Sequence, residues 1–210
     1  MTLELILLVG AGGHARSCID VIEQEGCFAV FGLTGLAEEV DTKTLGYSVL
    51  GTDADLPHLL HNCRNALVSV GQIKTPELRI HLFELLVRLG YRLPIIVSPR
   101  AYVSRHAVIG EGTIIMHGAV VNAGALVGRN CILNSLSLVE HDAVIADHCH
   151  ISTMAAVNSG TQVGTGTFIG SGSSVRQCIK IGERSLIGMG QRVLADCLPG
   201  SQIPPLREIQ

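Results

Sequence analysis

One histidine of the chain stands between two carboxylic acids, in the run Glu140-His141-Asp142. An imidazole titrates near neutral pH, so a positioned histidine can act as a general base and accelerate a reaction by roughly 10²–10⁴-fold. A neighbouring carboxylate would orient the ring and raise its basicity. The residue types alone leave open which of the two acids does so. A second histidine, His150, follows nine residues after His141.

A glycine-rich turn near the start of the chain indicates a different chemistry. The run Gly10-Ala-Gly-Gly-His-Ala15 follows the aliphatic strand Leu5–Val9 and precedes a helical pattern. Backbone N–H groups of such a turn can approach a pyrophosphate at the positive end of the helix. A dinucleotide site would add an acidic side chain about 20 residues further on, to hold ribose hydroxyls. Gly32–Leu36 contains none, so we do not expect a full NAD site, and a nucleotide-sugar site stays open.

The second half of the chain follows a repeat of six residues. Every sixth position from Val103 to Val193 is Ile, Leu or Val; a small side chain follows four residues later in most repeats, and Gly or Asn often follows directly. A period of six fits neither a helix of 3.6 residues per turn nor a flat strand. It predicts short strands joined by turns in which Gly and Asn accept positive φ. Three strands would close one triangular coil, giving about five coils of a parallel β-helix.

The first half has the pattern of a small α/β domain. Apolar runs alternate with helical patterns, which predicts a Rossmann-like sheet of three or four parallel strands. After the opening strand we expect strands near Cys27–Gly32, Ala66–Gly71 and Pro94–Val97, and helices near Asp53–His61 and Pro76–Leu89. The predicted domains are residues 1–98, binding a nucleotide sugar, and residues 99–210, forming the β-helix.

Composition and charge exclude several classes of protein. The chain of 210 residues has a net charge of −3, which is not the footprint of a nucleic-acid binder. Its seven cysteines, without a CxxC pattern, are typical of reduced thiols in the cytoplasm. The apolar start Leu3–Val9 has no basic flank and runs into the glycine turn. We therefore expect a cytoplasmic protein with neither a signal peptide nor a membrane span.

The GAGGHA turn in an α/β domain, joined to a hexapeptide β-helix that carries Val139-Glu-His-Asp142 and His150, resembles a family of hexapeptide-repeat sugar acetyltransferases. That family includes sialic acid O-acetyltransferases and UDP-4-amino-sugar N-acetyltransferases, and the resemblance spans nearly the whole chain. It implies a left-handed β-helix and a homotrimer with active sites between adjacent chains. It also implies transfer of acetyl from acetyl-CoA to a sugar amine or hydroxyl, with the nucleotide part held by the N-terminal domain.

The resemblance also assigns roles to individual residues. His141 would be the general base and Asp142 its carboxylate partner, with Glu140 as the fallback. His150 lies nine residues from His141, half of an 18-residue coil, so the spacing predicts that it lies on another face of the prism. The resemblance implies that it contacts acetyl-CoA across a chain interface. The matched substrate-binding positions are Gly12, Gly13, His14, Gly71 and Asn134, and the matched cofactor-lining positions are Ser171 and Met189.

Two departures from the family pattern stand out. Gly35 and Leu36 replace an acidic pair after the second strand, which bears on the identity of the acceptor. Met154 replaces a glycine in the coil after His150, which bears on the acetyl pocket.

Other interpretations have less support. A zinc site from His148, Cys149 and His150 is disfavoured because consecutive strand residues point to opposite sides, so we expect no metal. A cysteine acyl-enzyme is disfavoured because no cysteine lies beside His141 in the sequence or in the stack of coils, and direct transfer is preferred. A non-catalytic nucleotide-sugar-binding scaffold and a sialic acid O-acetyltransferase stay as alternatives. The sequence does not decide between N- and O-acetylation, or between acetyl and a longer acyl donor.

Overall fold

The structure is a computed structural model that describes residues 3–204. These residues form two compact units. The first unit is the chain through Gly71 together with Glu77–Pro99, and the second is Gln72–Pro76 together with the chain from Arg100 onwards. The short segment Gln72–Pro76 therefore belongs to the second unit although its sequence neighbours belong to the first.

The first unit contains three α-helices, six strands and two short 3-10 turns, the turns at Ala37–Glu39 and Asp53–Asp55. In chain order its elements are β1 (Glu4–Val9), α1 (Gly13–Glu25), β2 (Phe28–Thr34), β3 (Lys43–Thr44), β4 (Tyr47–Gly51), α2 (Leu56–Leu59), β5 (Asn65–Val68), α3 (Glu77–Leu89) and β6 (Ile96–Val97). Five strands form a sheet in the order β3-β4-β2-β1-β5. Only the β3–β4 pair is antiparallel.

The sequence of each central element explains its place in this unit. Strand β1 has a neighbour on both sides, and its residues from Ile6 to Val9 are fully buried, as the unbroken aliphatic run requires. Helix α1 ends where Gly26 adopts a left-handed conformation with φ 69°. The predicted small parallel sheet is confirmed, with two corrections. The β3–β4 hairpin was missed, and the strand predicted near Pro94 is the two-residue β6, which is not a member of this sheet.

The second unit is a parallel β-helix of two-residue strands. Each strand from Tyr102 to Val193 pairs in parallel with the strand one coil, or 18 residues, away, as Val121 does with Val103 and Val139, and the last strand pairs at an offset of 16 residues. The strands are β7 (Tyr102–Val103), β8 (Val108–Ile109), β9 (Ile114–Ile115), β10 (Val120–Val121), β11 (Leu126–Val127), β12 (Ile132–Leu133), β13 (Leu138–Val139), β14 (Val144–Ile145), β15 (His150–Ile151), β16 (Ala156–Val157), β17 (Gln162–Val163), β18 (Phe168–Ile169), β19 (Ser174–Val175), β20 (Lys180–Ile181), β21 (Leu186–Ile187), β22 (Arg192–Val193) and β23 (Gln202–Ile203).

Three faces result from this pairing. We call them face A (β7, β10, β13, β16, β19, β22), face B (β8, β11, β14, β17, β20) and face C (β9, β12, β15, β18, β21, β23). The second residue of each strand from β9 to β22 is buried on the axis, whereas Val103 and Ile109 of the first coil are half-buried. The predicted period and coil length are confirmed.

The small interior residues complete the hydrogen bonding of the turns. Most of their hydroxyl or thiol groups donate to a backbone carbonyl 15 residues further along the chain, in the next coil. Examples are Thr113 to Gly128 (2.8 Å), Cys131 to Ala146 (3.2 Å), Cys149 to Gly164 (3.1 Å) and Thr167 to Gly182 (2.9 Å). Burial raises the pKa of the Cys149 thiol well above its ordinary value. Cys149 is therefore an unreactive interior donor, and Cys131 is likewise fully buried.

The corners correct one expectation. Positive φ does not occur directly after the aliphatic residue. It occurs three residues after it, at every sixth residue from 112 to 190, where seven of the fourteen positions are glycine. Gly110 and Gly170 have another role, because a Cβ on either would lie 2.5 Å from the backbone of Gly128 or Gly188 in the next coil. These glycines allow adjacent coils to approach closely.

Candidate functional site

A cleft of about 280 Å³ opens in the first unit. It lies at the carboxyl ends of strands β1, β2, β4 and β5, where ligands bind in open α/β sheets. Its lining is Gly10, Ala11, Gly12, Gly13, His14, Gly35, Leu36, Glu39, Asp53, Ser69, Val70, Gly71, Leu78 and Leu82. Four of the predicted substrate-binding residues, Gly12, Gly13, His14 and Gly71, therefore share one cleft.

The glycine loop leaves the start of α1 open to a ligand. Gly12 is the extended N-cap residue of α1, and no side chain caps the helix there. A Cβ on Gly12 or Gly13 would meet no protein atom within 4 Å. Backbone N–H groups at such a helix start attract anions. The loop therefore provides a cradle of the size and polarity that a phosphate needs.

Gly10 fixes the loop against strand β5. Its φ of 116° suits only glycine, and a Cβ there would lie 2.5 Å from Val70 Cγ2. Ser69 Oγ donates to the Gly10 carbonyl at 2.6 Å. On the other side of the loop, the Cβ of His14 would lie 3.6 Å from a Cβ on Gly71. The loop after β1 and the end of β5 are thus held together, which brings His14 and Gly71 into contact range.

Two carboxylates of this cleft were missed in the sequence. Glu39 lies in the 3-10 turn after β2, and its Oε2 accepts a hydrogen bond of 2.8 Å from Leu36 N. Asp53 begins the 3-10 turn after β4, and burial raises its pKa above the ordinary value. Glu39 and Asp53 therefore bring two carboxylates to the cleft from positions after Gly35 and Leu36. A glutamate three residues after a helix N-cap is a recognisable capping pattern, and it was the signal available for Glu39.

The second unit carries the His141 and Asp142 pair at the corner between faces A and B. The distance from His141 Nδ1 to Asp142 Oδ2 is 2.8 Å. An ionised carboxylate only accepts, so Nδ1 is assigned as the donor and Nε2 carries the lone pair. The two side chains are 59% and 72% exposed in the single chain. The geometry is that of a base whose free nitrogen is open to a ligand.

Glu140 has other partners. Its Oε2 accepts from Asn122 Nδ2 at 3.0 Å and from the backbone N of His141 at 3.1 Å. The carboxylate is therefore held by the coil next to it and not by the imidazole. Of the two acids flanking His141, Asp142 is the one that lies within hydrogen-bonding distance of the ring.

Two features of the corner allow Asp142 to reach back to the preceding residue. Asp142 has a φ of 58°, in the left-handed region that Asp tolerates better than most residues. One coil away, Gly124 also has positive φ, and a Cβ on it would collide with Asp142 Oδ1. Gly124 therefore provides the space that the carboxylate occupies.

His150 lies on face C, away from His141, as predicted from the half-coil spacing. It is only 5% exposed, and both of its ring nitrogens have partners within the unit. Nδ1 is 2.6 Å from the carbonyl of Gln72, and Nε2 is 3.2 Å from Asn134 Nδ2. The ring also meets Phe168 edge-on, with 5.2 Å between centroids. A contact between His150 and acetyl-CoA stays a prediction.

Of the other predicted residues of this unit, Asn134 contacts His150, and Ser171 and Met189 lie at the corner between faces C and A. Asn134 contacts the His150 ring and is oriented by Ser135 N, which donates to its Oδ1 at 2.8 Å. Ser171 Oγ lies 2.9 Å from Ser152 Oγ. Met189, one coil beyond Ser171, is 62% exposed, and Met154 is 63% exposed at a corner with φ 58°. Their side chains line the corner between faces C and A.

Within residues 3–204, no group of three or more His, Cys, Asp or Glu side chains is arranged to hold a metal ion. None of the helices in the same described range is long and apolar enough to cross a membrane.

Two family models match the chain. The PglD N-terminal domain matches residues 5–84, and the bacterial transferase hexapeptide (six repeats) matches residues 106–141. A search among curated proteins finds no significant match.

Several solved structures are similar over nearly the whole chain. The acetyltransferase domain of PglB from Neisseria gonorrhoeae FA1090, in complex with acetyl coenzyme A, is 28% identical, with a TM-score of 0.88 over 96% of each chain. A perosamine N-acetyltransferase from Caulobacter crescentus was solved with CoA and GDP-perosamine as a variant in which Asn replaces a histidine. It is 28% identical, with a TM-score of 0.90 over 96% of this chain and 93% of that one. WeeI from Acinetobacter baumannii AYE, 20% identical with a TM-score of 0.81 over 94% and 95% of the two chains, shares the fold.

These likenesses confirm the predicted architecture, an α/β N-terminal domain followed by a left-handed β-helix. The PglD-type domain, the hexapeptide repeats and the two nearly full-length matches lead to one conclusion: the chain is similar over almost all of its length to hexapeptide-repeat sugar acetyltransferases.

Proposed function

We propose that this chain transfers acetyl from acetyl-CoA to the amino group of a nucleotide-linked 4-amino sugar, in the synthesis of a bacterial surface glycan. The observation that carries the proposal is the His141–Asp142 pair, with 2.8 Å between Nδ1 and Oδ2 and an open Nε2, on a hexapeptide β-helix. The likeness to an acetyltransferase solved with acetyl-CoA and to another solved with GDP-perosamine supports it. A histidine was replaced in the second of these, as expected for a residue close to the chemistry.

The proposed chemistry is direct transfer. The neutral sugar amine attacks the thioester carbonyl carbon, and His141 Nε2 takes the proton that the nitrogen must lose as the C–N bond forms. Asp142 stabilises the resulting imidazolium through the hydrogen bond on Nδ1. The C–S bond then breaks, and the proton passes from Nε2 to the leaving sulfur. The products are the N-acetyl sugar and CoA.

In this proposal the first unit binds the acceptor and the second unit binds acetyl-CoA. The cleft with Gly12, Gly13, His14 and Gly71 holds the nucleotide end of the acceptor, because its loop offers N–H groups to the diphosphate. The corner with Ser171 and Met189 binds acetyl-CoA. Its exposed methionine and its hydroxyl suit a ligand with both apolar and polar parts. Asn134 and His150 complete this region.

We further propose a homotrimer with its active sites between chains. In the single chain His141 is 59% exposed, whereas acetyl transfer is favoured where water is excluded. Faces A and B meet at the His141 corner. In the first coils their outward positions are apolar, including Tyr102 at 59%, Val108 at 61% and Leu126 at 45% exposed. A second copy of the chain would bury these residues and cover His141.

We propose that the reaction takes place in the cytoplasm. All seven cysteines carry free thiols, which is typical of a reducing compartment. Within the family, O-acetylation of sialic acid is the second candidate, and the same base would deprotonate a hydroxyl. A non-catalytic scaffold does not require a carboxylate hydrogen-bonded to an exposed imidazole, so the scaffold alternative is not favoured.

The test is release of CoA thiol from acetyl-CoA by the purified protein. The acceptors are 4-amino nucleotide sugars carrying different nucleotides, and sialic acid. Turnover with a 4-amino nucleotide sugar, abolished in His141→Ala, would support the proposal. Turnover with sialic acid alone would replace it with O-acetylation. Binding of neither CoA nor any acceptor by folded protein would favour the scaffold.

A further inference from the structure

Two carboxylates line the nucleotide cleft, and each follows a different strand. The glycine loop follows β1, Glu39 follows β2, and Asp53 follows β4. The sheet order is β4-β2-β1, and neighbouring strands lie about 4.8 Å apart. From β1 towards β4, the cleft therefore presents first the glycine loop, then Glu39 and then Asp53. A nucleoside diphosphate offers its groups in a matching order: phosphates, ribose, base.

The phosphate end is neutralised by backbone groups. Among the described residues that line the cleft there is no Lys or Arg. The open start of α1 at Gly12 and Gly13 is left as the source of positive potential for a diphosphate. The phosphates are therefore expected at the loop.

Glu39 is suited to the ribose. A Cβ on Gly35 would lie 2.6 Å from Glu39 Oε2 and 3.1 Å from the Cβ of Ala11, so the carboxylate stands next to the phosphate loop. The hydrogen bond from Leu36 N fixes it there. An ionised carboxylate only accepts hydrogen bonds, and a ribose diol offers two donors.

Asp53 stands where the base would lie. Leu36 and Leu78 also line the cleft and are 63% and 53% exposed, which gives a planar ring two apolar side chains to rest on. Burial raises the pKa of Asp53, although the nearby His81 and the Thr34 hydroxyl lower it in part. Asp53 is exposed in the cleft lining, so both of its carboxylate oxygens can accept hydrogen bonds from a ligand that supplies N–H donors.

We infer that Asp53 reads the base, and that the acceptor is linked to guanosine diphosphate and not to uridine diphosphate. Guanine presents two adjacent donors, N1–H and the N2 amine, which can bind both oxygens of one carboxylate. Uracil presents a single N–H between two carbonyl oxygens, which would face the carboxylate unfavourably. Adenine and cytosine each pair one amine with a ring-nitrogen acceptor and should rank between them. The inference rests on the proposed function, because it names the nucleotide of that acceptor.

The experiment is calorimetric titration of the full chain with GDP, ADP, CDP and UDP, at one pH and one salt concentration. GDP should bind at least about tenfold more tightly than UDP, as one bidentate pair predicts. In Asp53→Asn, the amide offers one donor and one acceptor, which suits uracil and not guanine. The affinity of this variant for GDP should therefore fall by about tenfold, and its affinity for UDP should rise. Glu38→Gln is the matched control, because it neutralises an exposed carboxylate of the same turn as Glu39 outside the cleft lining.

The outcomes separate this inference from the proposal on which it rests. Preference for GDP, reversed by Asp53→Asn and unchanged by Glu38→Gln, supports it. Tighter binding of UDP by the wild-type chain overturns the inference and leaves the nucleotide-sugar proposal standing. Binding of none of the four nucleotides overturns both. The wild-type ranking decides even if Asp53→Asn does not fold.

Discussion

Asp142 accepts a hydrogen bond from the ring of the residue directly before it, with 2.8 Å between its Oδ2 and His141 Nδ1. Adjacent residues on an extended strand point in opposite directions and could not make this contact. It forms here because Asp142 occupies a corner with φ 58°. A carboxylate and an imidazole are thus paired by the turn of the β-helix itself.

This pairing predicts different effects for the two acids that flank His141. Asp142→Asn should lower kcat by about ten- to a hundredfold, because a hydrogen bond to the charged imidazolium is weakened. Glu140→Gln should change kcat by less than about threefold, since Glu140 bonds to Asn122 Nδ2 and to a backbone N–H. Steady-state kinetics with saturating acetyl-CoA would measure both. A larger loss in Glu140→Gln than in Asp142→Asn would contradict the assignment.

Gly124 should act as a positioning residue for Asp142. In Gly124→Ala the new Cβ would collide with Asp142 Oδ1, so the carboxylate must move away from the imidazole. Gly200→Ala is the matched control, because its φ of 72° is similar and a Cβ there meets no atom within 4 Å. Both variants should lose about 1 kcal/mol of unfolding free energy through backbone strain.

Only Gly124→Ala should lose kcat, because the base would have lost its carboxylate partner. Equal kinetics in the two variants would show that the position of the Asp142 carboxylate does not require a residue without a side chain at position 124.

Much of this architecture is readable from the chain because it is local. The period of six fixes the short strands and the coil length, and the Gly10–Ala15 run lies where a strand passes into a helix. The role of Gly110 was misassigned because close approach of its neighbouring coil is a property of the stack and not of the turn. Glu39 was overlooked because a capping side chain reaches back over a short 3-10 turn. The partner of His150, the carbonyl of Gln72, lies 78 residues away, and no local pattern encodes it.

The buried contacts of His150 predict a role in stability. His150→Ala would leave the Gln72 carbonyl and the Asn134 amide without their ring partners in a buried site. We expect a loss of about 2–4 kcal/mol of unfolding free energy, measured by urea denaturation. His106→Ala, at an exposed position of the same β-helix, should change it by less than about 0.5 kcal/mol. Unchanged stability with a raised KM for acetyl-CoA would instead support direct contact with the donor.

The proposed trimer depends on the outward residues of face B. Val108, Leu126 and Val144 stack outward on successive coils, and the next outward residue is Gln162. Leu126→Glu would place a charge in an apolar interface and should reduce the molar mass measured by light scattering to that of one chain. Gln162→Glu adds the same charge to a polar position of the same face and should leave the mass unchanged. A wild-type chain that is monomeric at assay concentrations would refute the trimer.

The Arg129–Asp147 pair predicts an acid dependence of stability. Burial alone would raise the pKa of Asp147, but hydrogen bonds from Arg129 N (2.8 Å) and its guanidinium (3.0 Å) bring the pKa below the ordinary 3.8. A group whose pKa is lower in the folded state stabilises the fold above its unfolded pKa, and this contribution is lost as pH falls through the folded value. The side chain of Asp147 is 32% exposed and that of Arg129 is 51% exposed, so the effect should stay below about 1 kcal/mol. Asp147→Asn should therefore be less stable than wild type near neutral pH, and the difference should shrink as the pH falls below 3.8 towards the lower folded pKa. Urea denaturation across this range would measure it, and a gap that persists in acid would assign the loss to packing instead of charge.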